Sequence, residues 1–221
     1  VIVRLTGFIF KTVLVVELVG AALLALRFCP QMGVGRGLWM AFFHSVSAFC
    51  NAGFDLMGEA HPYASLTAYT ADPLVCLVVA FLIVTGGGFK VTTLAVLILG
   101  LMSIFLHRND VRGFGRRLPD MALRRASGIF MFYLLLFLAG GMLISAFDDL
   151  PLMTAFFEAA SAIGTVGLSL GATPELSDAS RGILILLMYF GRVGSLTVVF
   201  AVSSGIWQDG FRYPSEDVAV G

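Results

Sequence analysis

The sequence predicts an all-α integral membrane protein built from helix–re-entrant loop–helix repeats, and three observations carry that prediction. Of the 221 residues, 58% are hydrophobic and 13% charged, with a mean hydropathy of +0.94. A water-soluble domain carries about a quarter charged residues, so this chain cannot cover a surface facing water. Several apolar runs reach the roughly 20 residues that a spanning helix needs. Finally, one stretch is written twice. AFFHSVSAFCNAGFDL (41–56) and AFFEAASAIGTVGLSL (155–170) align without a gap at an offset of 114 residues, sharing Ala-Phe-Phe, Ser-Ala, a glycine and a closing leucine.

The elements follow in order. Residues 5–28 read as a first span. Residues 38–50 are apolar and helix-like, but about 13 residues cannot cross a bilayer. This piece is expected to enter the membrane, stop near its middle and return as extended chain through Cys50-Asn51-Ala52-Gly53-Phe54. A second span, 74–106, carries Gly86, Gly87 and Gly88 ahead of Lys90. Three glycines in a row predict a bend or unwinding there. The third span, 127–147, leads into a second short helix, 152–164, and the run Gly164-Thr165-Val166-Gly167-Leu168; a last span, 182–206, contains Arg192. The predicted organisation is therefore a first repeat at 1–106, a connector at 107–125, a second repeat at 126–206 and a tail at 207–221.

Charge sets the orientation. Arg108, Arg112, Arg116, Arg117, Arg124 and Arg125 crowd the connector, which the positive-inside rule puts in the cytoplasm together with the tail. The opposite side holds Asp55, Glu59, Asp72, Asp148, Asp149, Glu175 and Asp178 against Arg27, Arg36 and Arg181. That excess reads either as an acidic vestibule that concentrates cations or as acids merely avoiding the cytoplasmic flank. Fourteen basic and fourteen acidic residues balance to zero formal charge, which gives nucleic acid no electrostatic footprint. Cys29, Cys50 and Cys76 show no paired spacing, and His44, His61 and His107 form no metal motif. No nucleophile–base constellation points to an enzyme. The start at Val1, without methionine, points to a fragment.

Irregular backbone at membrane depth survives only where protein buries it or a wet cavity needs it. Glycine accepts the dihedrals that aim neighbouring carbonyls the same way, and the C-terminal end of a short helix carries about half a negative charge. Both features suit a cation. The candidate ion-binding positions, through their backbone, are Asn51, Ala52, Gly53, Thr165, Val166 and Gly167. The competing reading is a small-residue packing motif. Gly86, Gly87, Gly88, Lys90 and Arg192 are candidate gating residues, because an arginine at the bilayer centre costs about 2.5–3.5 kcal/mol on insertion scales and tends to be functional. The alternative for Arg192 is a structural ion pair with Glu158 or Asp178. Glu158 and His44 occupy equivalent repeat positions and are expected to pack or hydrogen-bond; Glu17 reads as a buried structural acid.

The run Gly164–Leu168 resembles the Thr-Val-Gly-Tyr-Gly filter of potassium channels, where backbone carbonyls replace the water shell of the ion. The stretches 45–56, 87–93, 161–170 and 191–196, and the ending Phe211-Arg212-Tyr213-Pro214 with Gly221 beyond it, resemble the Trk/Ktr/HKT potassium transporters, above all the Ktr-type membrane subunit of bacteria. The resemblance implies a multi-pass protein of the bacterial inner membrane that takes up potassium. Sodium would be a coupling or activating ion, and no cofactor would be bound by this chain. It implies helix–pore loop–helix repeats of the potassium-channel type, four to a pore. Asn51-Ala52-Gly53 would be the second filter and Thr165-Val166-Gly167 the fourth. The glycine break with Lys90 would be the third repeat's gating loop, facing Arg192. It also implies a homodimer seated on cytosolic nucleotide-binding regulatory subunits. Within that frame the first repeat and the third filter are missing, with a junction near Gly86–Gly88. The chain is then either a pore-forming subunit, whole or in part, or a truncated, non-conducting remnant.

Overall fold

A computed structural model describes residues 2–59, 64–86, 88–106, 111–113 and 116–193. The described residues form seven α-helices: α1 (Ile2–Met32), α2 (Val34–Phe49), α3 (Pro73–Thr85), α4 (Gly88–Phe105), α5 (Asp120–Asp148), α6 (Leu152–Gly164) and α7 (Asp178–Val193). A two-residue ladder, β1 (Arg112–Gly113) against β2 (Arg116–Arg117), lies between α4 and α5. Phe10–Met32 and Met121–Asp148 are long and apolar enough to cross a membrane. The predicted tail 207–221 and the far part of the last span, 194–206, lie outside the described residues, as do Gly87, Arg108, His61 and His107.

Helix ends follow hydrogen bonding rather than hydropathy. α1 continues to Met32 and α5 begins at Asp120, ahead of its apolar run. The predicted connector therefore gives up 120–125, and Arg124 and Arg125 ride on the opening turns of α5. The second predicted span is divided as the glycines suggested: α3 stops at Thr85, Gly86 takes an extended backbone (φ −72°, ψ 171°), and α4 begins at Gly88. The start of α3 is fixed by Asp72, whose Oδ1 accepts from the N–H groups of Leu74 and Val75, with Pro73 at the first helical position.

α1, α2 and α3 pack as one unit and α5, α6 and α7 as another; α3 lies on α6 and joins the two. Exposed Val15, Leu18, Val19 and Leu26 on α1, and Leu135, Met142 and Phe147 on α5, face outward. In water such surface costs about 25 cal/mol per Å²; in a bilayer it costs nothing. The fold is thus all-helical apart from the short ladder, and its outer surface suits a membrane.

The two units are built alike well beyond the repeated stretch. In the N-terminal unit, Gly20 of α1 lies under Leu82 of α3, and Gly86, four residues on, sits on the carbonyl of Phe49 at the end of α2. In the C-terminal unit, Gly140 of α5 lies under Leu187 of α7, and Gly191, four residues on, sits on the carbonyl of Ile163 at the end of α6. A Cβ at Gly86 or Gly191 would overlap backbone oxygen, so both closing helices approach the short helices more closely than any other residue permits. The counterparts Leu24 and Ile144 are both fully buried.

Candidate functional site: two facing loops

Each short helix ends in the same way. Asn51 (φ 54°) and Thr165 (φ 55°) both turn left-handed, and Gly53 (φ 75°) and Gly167 (φ 93°) take positive φ two residues later. Ala52 and Val166 between them keep ordinary φ. A β-branched residue in the left-handed region is a strained outlier, of order 1–2 kcal/mol, so Thr165 is held there by its surroundings. The holding bonds are the same twice. The N–H of Asn51 donates to the Ala48 carbonyl (3.2 Å) and that of Thr165 to Ala162 (3.0 Å). The N–H of Ala52 donates to the Ser47 carbonyl (2.9 Å) and that of Val166 to Ser161 (3.0 Å).

The serine hydroxyls then diverge. Ser47 Oγ donates to the Phe54 carbonyl (2.6 Å), whereas Ser161 Oγ accepts from the Gly167 N–H (3.2 Å). A few residues beyond each helix end, at Leu56 and Leu170, the chain is tied back to the helix by the equivalent pair, His44 and Glu158. The Leu56 N–H donates to His44 Nε2 (3.4 Å), and the Leu170 N–H donates to Glu158 Oε1 (2.9 Å). Glu158 also accepts from Ser169 Oγ and Thr173 Oγ1, both at 2.8 Å. The expected hydrogen-bonding role of both residues holds. Glu158 is consequently engaged, and Asp178 pairs with Arg181 (3.3 Å), so the ion pair suggested for Arg192 is not formed; the Arg192 side chain is exposed.

The loops face each other. The Val166 carbonyl presses on Gly53 so closely that a Cβ there would overlap its oxygen. Residues 64–70 of the N-terminal unit also clamp the C-terminal loop: the Leu66 N–H donates to the Ser169 carbonyl (3.2 Å), the Ser169 N–H to Ser65 Oγ (3.1 Å), and Thr70 Oγ1 to the Leu170 carbonyl (3.2 Å). Tyr69 braces the clamp by donating to Gln31 Oε1 (2.8 Å); burial, then the nearby Asp72 carboxylate, push its phenol above its ordinary pKa, so it keeps the proton it donates. These bonds put both outer loops on one side of the molecule.

Of the candidate positions, Gly53, Val166 and Gly167 come together, with Asn51, Ala52 and Thr165 on their flanks. Asn51 Oδ1 is buried with no hydrogen-bond partner among the described residues. Gly86 turns out to be a packing glycine on Phe49, in the position Gly191 occupies on Ile163; Arg192 directly follows that second contact. The backbone of Gly88 and Lys90 is helical, and the Lys90 side chain lies outside what is described. Several outer acids are occupied locally: Asp72 pairs with Arg27 (3.1 Å), Asp55 accepts from the Met57 N–H, and Asp148 from the Ser177 N–H. Glu17, half-buried, meets Cys50 Sγ. The clamp and the Gly86–Gly191 equivalence were not visible in the sequence. The one available signal was a glycine inside each predicted closing span, Gly86 in 74–106 and Gly191 in 182–206.

The pattern of the TrkH family, described as a cation transport protein, matches residues 1–99 and again 85–210. This chain belongs to the TrkH family. Its relatives include the potassium/sodium uptake protein NtpJ of Enterococcus hirae, 26% identical over an aligned stretch of 326 residues that takes in 100% of this chain and 72% of the relative. The Ktr system potassium uptake protein B of Bacillus subtilis is 23% identical over a stretch of the same length, with the same two shares. The Ktr system potassium uptake protein B of Vibrio alginolyticus is 28% identical over 190 residues, 84% of this chain and 40% of the relative. Membership of TrkH makes the doubled loop a feature of a cation transport protein.

Proposed function

We propose that this TrkH-family chain is the pore-forming membrane part of a Trk/Ktr-type potassium uptake system, with residues 51–53 and 165–167 as two of its selectivity filters. The observation that carries the reading is the pair of loops with one backbone, held by equivalent bonds and set face to face. Alternating positive and ordinary φ departs from a plain strand, and in a filter it lets neighbouring carbonyls serve one ion. The ends of α2 and α6 bring their negative dipole ends to the loops. On this reading α2 and α6 are re-entrant pore helices, the protein is a multi-pass inner-membrane protein, and sodium is a coupling or activating ion. The glycine break at 86–88, with Lys90 and Arg192, regulates passage. Partners are a second copy of this chain and a cytosolic nucleotide-binding regulator docking on the basic loop around Arg108–Arg125. The domain organisation is the one read from the sequence, a unit ending near 106, a basic connector, a second unit and a cytoplasmic tail.

A second reading, a truncated remnant that conducts nothing, draws on one specific observation. The alignments run over 326 residues against 221 in this chain, and the two TrkH matches overlap at 85–99, beside the suspected junction. Potassium-limited growth of a bacterial strain without its own uptake systems separates the two. With membrane insertion verified, rescue by this chain but not by Gly167→Asp supports uptake through these loops. No rescue by either supports the remnant.

A further inference from the structure

The groups around His44 leave its imidazole a single protonation state. Nδ1 lies 2.8 Å from the Met40 carbonyl, which can only accept, and Nε2 lies 3.4 Å from the Leu56 N–H, which can only donate. Nδ1 therefore carries the proton and Nε2 is bare. A second proton could go only to Nε2, where it would point at the Leu56 N–H and break that bond. The ring is 0% exposed, in T-shaped contact with Phe28 of α1 and Phe43 at 5.8 Å each, so an imidazolium there would also lose its water.

Among the described residues no carboxylate is bonded to the ring. Asp55, beside Leu56, is the charge that reaches it, and Asp55 Oδ1 already accepts from the Met57 N–H (3.0 Å). Toward α1 and α3, Arg27 is paired with Asp72, and the Tyr69 phenol, packed on Phe28, donates to Gln31. The Cys76 thiol of α3 donates to the Tyr69 carbonyl. On α2 itself, exposed Arg36 lies two turns before the ring, and Cys50 at the far end meets Glu17. The counterpart Glu158 differs in kind. All three of its partners donate to it, and carboxylates as a class stay acceptors across the range in which imidazole takes up a proton.

We propose that His44 is a positioning residue that holds the loop after α2 only while neutral, so that acid releases this loop and leaves the loop after α6 in place. A released imidazole in water takes its second proton at about pH 6.5, whereas the seated ring has no place for one. The released state therefore binds more protons than the seated state. Seating is at full strength above that pH and is lost as pH falls, by up to about tenfold per pH unit in the ratio of seated to released loop. Ser47 Oγ still holds the Phe54 carbonyl (2.6 Å), so release begins at Leu56. That acid thereby slows potassium uptake rests on the function proposed above; the release itself rests on hydrogen bonding alone.

Amide exchange of the full chain in detergent tests it. Corrected for the intrinsic exchange rate, opening at the Leu56 amide is expected to rise about tenfold per pH unit below about pH 6.5, with the Leu170 amide steady. His44→Gln, whose amide oxygen can stand where Nε2 stands, should abolish the rise. His44→Phe has no acceptor and should leave the Leu56 amide open at every pH. Nitrogen NMR of the imidazole, with the His44 signal assigned by its loss in His44→Gln, should show a protonated Nδ1 and a bare Nε2 at neutral pH. A protonated Nε2 at neutral pH, the same pH dependence in the parent chain and His44→Gln, or opening at Leu170 in step with Leu56 would each overturn the proposal. Growth rescue on limiting potassium, compared between neutral and mildly acid medium, reads the consequence: the acid-to-neutral ratio should fall several-fold for the parent chain and stay level for His44→Gln. Acid-driven opening at Leu56 with a level ratio leaves the positioning role standing and counts against the uptake reading. A falling ratio in both chains, without opening at Leu56, overturns the positioning role alone.

Discussion

The loop after α2 and the loop after α6 have one backbone and two kinds of support. His44, wholly buried between Phe28 and Phe43, holds the first with one ring nitrogen, its other nitrogen lying 2.8 Å from the Met40 carbonyl. Glu158 holds the second with both carboxylate oxygens, accepting three bonds. What the fold demands at this position is an acceptor aimed at one backbone N–H, and an imidazole or a carboxylate meets that demand. The richer network goes with the loop that the other unit covers, where unpaired groups would be costly. The first loop, with Phe54 and Ala52 exposed, has no such cover.

The strongest test of the likeness between the units is the pair of closing glycines. Gly86→Ala and Gly191→Ala each drive a Cβ onto a helix-end carbonyl, and both are expected to destabilise by about 3 kcal/mol. Thermal unfolding in detergent should show two similar, large losses. If one variant unfolded like the parent chain, the closing helices would not be equivalent.

The facing glycines should then part company. Gly53→Ala combines strain at φ 75° with overlap on the Val166 carbonyl, and a loss of about 3 kcal/mol is expected. Gly167→Ala at φ 93° meets open space and should cost about 1 kcal/mol in the single chain. Equal losses in denaturant titrations would mean that the loops do not face each other as described.

The anchors give a smaller difference. Glu158→Gln puts an amide N–H where an acceptor is needed and is expected to cost about 2 kcal/mol, while His44→Phe, which keeps the ring, should cost about 1 kcal/mol. A larger loss for His44→Phe would reverse the ranking drawn from the bond counts. Smallest is Ser65→Ala, which removes one acceptor of the clamp and is expected to cost about 1 kcal/mol or less. Its signature is local: faster amide exchange at Ser169, with the Thr165 and Val166 amides unchanged.

Much of this was legible because the repeated stretch runs without insertion from Ala41 to Leu56 and from Ala155 to Leu170. The paired positions 44 and 158, 47 and 161, and 53 and 167 could be matched by eye. Beyond it the offset drifts, from 120 in the opening helices (Gly20 to Gly140) to 105 in the closing ones (Gly86 to Gly191), since α1 and α2 are longer around their junction than α5 and α6, and the stretch from α2 to α3 is longer than that from α6 to α7. Apolar helix faces interchange leucine, isoleucine and valine freely, so no identity marks the register there. Gly86 therefore read as part of a bend between two helices, which it is, while its second duty, close packing on Phe49, left no mark in the sequence.

Composition and apolar length by themselves determined the environment, because too few charged residues cannot face water and a run of about 20 apolar residues fits a bilayer. The doubled stretch determined that there are two like loops with a glycine in each, because positive φ at Gly53 and Gly167 calls for glycine, while the left-handed turns at Asn51 and Thr165 were decided by their surroundings. Only the tertiary structure decided that the loops face each other, that residues 64–70 cover one and leave the other bare, and that Arg192 has neither Glu158 nor Asp178 as a partner. Those outcomes depend on which surfaces meet across α3 and α6, and contacts between distant segments leave no periodicity in the sequence that could record them.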